Sequence, residues 1–77
     1  MSGTEYIPGP GDVVVDTQHG KRLGIARAWD EKDRTLTLKE PGGRELWDTT
    51  EFRAPTDSEA LRARVAEVNH RSRWGRP

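Results

Sequence analysis

The middle of this chain is a series of short β-prone runs, each cut by a glycine or a polar turn. Gly11-Asp12-Val13-Val14-Val15-Asp16 comes first, then Gly20 and Gly24, then Ile25-Ala26-Arg27-Ala28-Trp29. Branched residues favour extended backbone. Close-set turns then fold each run back beside the last. The expected product is an antiparallel meander that curls into a small, strongly bent β-barrel. Barrels of this kind bind rather than catalyse.

Residues 12–17 form the first expected strand, and His19-Gly20 centres the turn after it. The second strand covers residues 23–29. Strict alternation sets Leu23, Ile25 and Trp29 on one face and Gly24, Ala26 and Ala28 on the other, where small residues let another backbone come close. Asp30, Glu31, Lys32 and Asp33 make a polar turn. Residues 34–39 alternate Leu36 and Leu38 against Thr35 and Thr37. Pro41-Gly42-Gly43 closes a hairpin into a fourth strand at 44–48. Residues 49–52 are a turn with room for one helical turn, and 52–54 a brief fifth strand.

A helix follows. Thr56-Asp57-Ser58-Glu59 has the form of a capping box, in which the threonine and glutamate satisfy each other's amides. Leu61, Val65 and Val68 then recur at helical spacing with arginines beside them. Isolated helices this short are marginal in water, so the stripe is expected to pack on the barrel. The domain plan is a flexible lead-in at 1–10, the barrel at 11–55, the helix at 56–70 and a basic tail at 71–77.

At 77 residues one domain is expected. Leu, Ile, Val and Phe number only thirteen, so the core is small. The net charge is zero and the apolar residues are clustered, which argues against disorder. Without cysteine there is neither a disulfide nor a thiolate metal site. No apolar run is long enough for a membrane helix. The first ten residues lack the charged start and apolar run of a signal peptide, so a cytoplasmic location is expected. The zero balance hides an asymmetry: residues 1–61 sum to −4 and residues 62–77 to +4.

Residues 11–54 resemble an SH3-like small barrel. The stretch from Gly11-Asp12 through Gly20, Gly24 and Ala28 is similar to the opening of KOW and Tudor-type members of that class. Gly42-Gly43-Arg44-Glu45-Leu46-Trp47-Asp48 to Arg53-Ala54 resembles small uncharacterised barrel proteins of high-GC bacteria. The resemblance implies the fold and a habit of binding. KOW members bind RNA or ribosomal and transcription proteins.

Trp29 and Trp47 are the first candidates for a partner surface, because aromatic side chains dominate binding hot spots. Against this, a core with one phenylalanine needs tryptophan for bulk. Arg71, Arg73 and Trp74 interleave cations with an aromatic, which suits a partner, a phosphate backbone with stacked bases, or docking on the chain's own acidic turn. His19 and His70 have no third ligand nearby and read as solvated turn and surface residues. Asp30, Glu31 and Asp33 lack the spacing of a calcium loop. No nucleophile and base are paired, and no glycine-rich loop leads into a helix.

The expectation is therefore a non-catalytic interaction module, with no cofactor or metal, that binds a protein through Trp29, Trp47, Arg71, Arg73 and Trp74. The alternative is a KOW-type nucleic-acid-binding accessory protein using Lys21, Arg22, Arg71, Arg73 and Trp74, with weak affinity at physiological salt. A third reading is a homodimer joined through Leu61, Val65 and Val68.

Overall fold

The computed structural model describes the backbone of residues 6–74 and the side chains of residues 6–69. It is mainly β, with five antiparallel strands in one sheet and one C-terminal helix. The strands are β1 (Val13–Asp16), β2 (Arg22–Asp30), β3 (Thr35–Lys39), β4 (Leu46–Thr49) and β5 (Phe52–Arg53); the helix is α1 (Asp57–Trp74). Their order across the sheet is β4-β3-β2-β1-β5. The first four strands run as a meander. β5 then returns to pair with β1 through Val15–Arg53 and Asp16–Phe52. The link from β4 to β5 is two residues, Thr50 and Glu51, and has no helical turn.

Val14, Ala26, Leu36 and Leu38 make the buried cluster, with Trp29, Trp47 and Phe52 packed against it. Register explains the set. Ala26 lies opposite Leu38, which in turn lies opposite Trp47. Gly24 belongs to the same face. A Cβ there would stand 2.9 Å from the Leu38 Cβ, so the glycine is what lets Leu38 lie flat on β2.

Trp29 departs from the expected alternation. The ladder between β2 and β3 slips at a bulge between Ala26 and Ala28, and Trp29 pairs with Leu36. The extra residue turns Trp29 onto the face of Ala26, away from that of Leu23 and Ile25.

β1 is buried at all four positions because the sheet is covered on both sides. Val13 and Val15 alternate away from the Val14 cluster, and on that side α1 meets β1 and β2. The capping box forms as expected: Glu59 N–H donates to Thr56 Oγ1 at 3.2 Å and Thr56 N–H to Glu59 Oε1 at 2.8 Å. Glu59 also takes a two-pronged contact from Arg53, at 3.0 and 3.1 Å, which ties the first turn of α1 to β5.

The docked face of α1 is not the one expected. Ala63 is 1 % exposed, whereas Leu61, Val65 and Val68 are 63, 48 and 57 % exposed. Beside the contact with β1 and β2, the end of β3 and the β3–β4 hairpin offer Lys39 and Gly42 to the helix. Lys39 Nζ donates to Glu67 Oε2 at 2.6 Å and Gly42 N–H to the same oxygen at 2.7 Å. Gly42 has a φ of 75°, and a Cβ on it would stand 2.7 Å from the Ala66 carbonyl oxygen. Only a small-residue face can come so near.

Two boundaries also differ. α1 continues to Trp74, so Arg71, Arg73 and Trp74 have helical backbone where a tail was expected. The lead-in, from Tyr6 onward, lies on the sheet: Pro8 is buried, and Gly11 N–H donates to the Ala26 carbonyl at 2.8 Å. Residues 1–5 and 75–77 lie outside the described residues. Among the described residues no helix is long and apolar enough to cross a membrane.

Candidate functional site

Three rings converge where the lead-in crosses the ends of β2 and β5. Trp29 is brought there by the bulge in β2, and Phe52 by the pairing of β5 with β1. Their centroids are 6.0 Å apart at 78°, an edge-to-face contact. Tyr6 closes the row, 6.2 Å from Phe52 and tilted by 60°. Burial, and then the Asp12 carboxylate, push the Tyr6 phenol up, so it stays neutral and able to donate at neutral pH.

These rings line a cleft of about 360 Å³ together with Thr17, Arg34, Thr50 and Glu51. The Arg34 guanidinium lies 5.9 Å from the Trp29 ring centre. The cleft thus joins aromatic faces to a cation, a carboxylate and two hydroxyls. Apolar walls with a few polar groups at the rim suit the side chains of an incoming polypeptide.

Trp47, the other tryptophan candidate, belongs to a different construction. Its Nε1–H donates to Asp16 Oδ2 at 2.6 Å. Asp16 is fully buried and also accepts from Thr49 Oγ1 at 2.8 Å, Gln18 N–H at 2.9 Å and His19 N–H at 3.1 Å. His19 Nδ1 faces Asp16 Oδ2 at 2.6 Å, which sets its proton on Nδ1 because a carboxylate only accepts. Burial pushes the Asp16 carboxyl up. The bonds from Trp47, His19 and Thr49, with the His19 amide, outweigh it and hold the group below the ordinary aspartate value. His19 is therefore no free turn residue; it is half-exposed and tied to Asp16. This network joins the β1–β2 turn to β4.

The Arg22 guanidinium lies 3.7 Å from the Trp47 ring centre and pairs with Glu45 at 2.7 Å. Its charge and its planar face are both engaged. Lys21 is exposed in the turn with a φ of 62°. Both tryptophans pack on the buried cluster, but only Trp29 lines the cleft, and Arg22 is held by Glu45 and Trp47. The side chains of Arg71, Arg73 and Trp74 lie outside the described residues. Among the described residues no cluster of three His, Asp or Glu is placed to hold a metal.

Sequence reasoning missed Tyr6 and Asp16. Tyr6 sits among prolines and glycines, which read as a loose end. Asp16 meets Trp47 and Thr49 from 31 and 33 residues away, beyond any local pattern. Phe52 carried a signal, as the one phenylalanine on a short strand. No family model matches the chain, and no curated protein or solved structure matches it.

Proposed function

We propose that the chain is an SH3-like barrel acting as a non-catalytic interaction module, and that it takes a segment of a protein partner in the Tyr6–Trp29–Phe52 cleft. The strand order β4-β3-β2-β1-β5, with β5 returned beside β1, supports the barrel reading. The cleft carries the functional one. Three of the chain's five aromatic residues gather at one surface, with Tyr6 38 % exposed. Aromatic anchors ringed by a few polar groups are the usual centre of a binding hot spot.

The nucleic-acid alternative has less support. Of its residues Lys21, Arg22, Arg71, Arg73 and Trp74, Arg22 has its guanidinium already held by Glu45 and Trp47, which leaves Lys21 as its one exposed cation among the described side chains. A duplex or single strand rewards cations left free to displace counterions.

The test is affinity capture from the protein's own cell lysate, with wild type and Tyr6→Ser side by side. Tyr6 lies at the rim, so its loss should leave the fold intact. A protein recovered by wild type, lost with Tyr6→Ser and indifferent to nuclease supports the reading. Recovery that survives Tyr6→Ser, or disappears with nuclease, refutes it.

A further inference from the structure

The aliphatic face of α1 points away from the sheet. In a surface helix, aliphatic residues at this spacing are ordinarily the buried side. Here Ala63 takes that place and Leu61, Val65 and Val68 look outward. With Arg64 and Asn69 they line a shallow cleft of about 260 Å³. Val68 and Arg64 also line a second cleft, of about 450 Å³, which reaches Val13 and Ile25. The apolar surface therefore runs from the helix down onto the sheet.

At about 3.6 residues per turn, Arg62 and Arg64 fall on opposite sides of this stripe. Both are exposed. Among the described residues neither has an ion-pair partner. Glu67, at the edge of the second cleft, is held by Lys39 and Gly42.

We propose that this stripe is a docking surface for an amphipathic acidic helix of another protein, with aliphatic side chains on Leu61, Val65 and Val68 and carboxylates on Arg62 and Arg64. Charge and area select the occupant. An antiparallel second copy centred on Val65 sets Arg64 against its own counterpart. Its helix is also committed to its own sheet and can offer only three aliphatics, a small contact beside the roughly 800 Å² per partner of a stable interface. Three aliphatics without an aromatic make a weak anchor in a membrane interface. A free acidic helix can meet both arginines and enter the cleft beside Val13 and Ile25. This surface and the Tyr6–Trp29–Phe52 cleft share no lining residue, so each stands or falls alone.

The probe is a labelled peptide of about 18 residues, long enough to hold a helix, with leucines at helical spacing between glutamates. A twin peptide carries lysine for glutamate. Anisotropy with the full chain should show binding of the acidic peptide and none of its twin. Leu61→Ser with Val65→Ser should weaken it about tenfold or more. Arg62→Glu with Arg64→Glu should transfer the preference to the lysine peptide. All four positions are exposed, and an unchanged melting curve will confirm that the variants fold. Four outcomes overturn the proposal: no binding of the acidic peptide, equal binding of both peptides, a wild-type dimer in sedimentation that Val65→Ser dissolves, or capture by anionic vesicles through the same residues.

Discussion

The indole Nε1–H of Trp47 ends on the buried carboxylate of Asp16 at 2.6 Å, and this bond joins β4 to the end of β1. Removing Asp16 strands the indole, whereas Asp16 without Trp47 keeps Thr49, Gln18 and His19. Asp16→Ala leaves an indole, an imidazole N–H and two amides short of their acceptor, and should cost about 2–4 kcal/mol. Trp47→Phe keeps much of the bulk and loses one donor, and should cost less, about 1–2 kcal/mol. Urea titration followed by circular dichroism checks both. Equal and negligible losses would show that the network holds nothing together.

Stability should fall in acid. The Asp16 carboxyl lies below its unfolded value of about 3.9. Its contribution is therefore complete above that value and is lost as pH drops through the folded value. Glu59 acts in the same sense: the Arg53 guanidinium, then the Thr56 amide, take it from an ordinary 4.5 to about 2. The window of loss thus opens near pH 4.5 and extends to about pH 2. Thermal melts across that range should decline. Asp16→Asn should flatten part of the slope, and the part from the more exposed Glu59 should diminish in salt.

Gly42 is the tightest point between hairpin and helix. Gly42→Ala forces a Cβ into a left-handed residue and against the Ala66 carbonyl. It should destabilise by about 1–3 kcal/mol and loosen α1 before the sheet. Helical ellipticity lost at lower urea than the tryptophan signal, read in a Trp74→Phe background so that it reports the sheet alone, is the expected reading. Coincident transitions would contradict it.

Val65→Asp and Ala63→Asp separate the two sides of α1. A charge at the exposed Val65 should change stability by no more than about 0.5 kcal/mol. The same charge at the buried Ala63 should cost about 2–4 kcal/mol. A large loss for Val65→Asp would mean that the stripe is covered in solution.

The legible parts of this fold are those written locally. Branched residues at 13–15 and alternation at 35–38 place β1 and β3, and the capping box places the start of α1. The bulge that turns Trp29 inward was not legible, because an inserted residue changes register without changing propensity. The docked face of α1 was not legible either. Aliphatic spacing shows which residues share a side. Which side docks depends on what the sheet presents, and here it presents Lys39 and Gly42. Of the two candidate tryptophans, Trp29 lines the cleft and Trp47 packs on the core and bonds Asp16. Tyr6 joins only through contacts distant in sequence.

The joint between α1 and the sheet sets small residues, Ala63 and Ala66, toward the sheet side and is tied by the carboxylates of Glu59 and Glu67, while Leu61, Val65 and Val68 stay exposed. Such a joint makes the helix a cooperative unit of its own. Its amides should exchange with solvent through an opening cheaper than global unfolding, and faster as salt weakens the ion pairs. The amides of β1, covered on both sides, should exchange only when the whole domain opens. Proteolysis under native conditions then begins in α1, at a rate set by that local opening and not by the stability of the sheet.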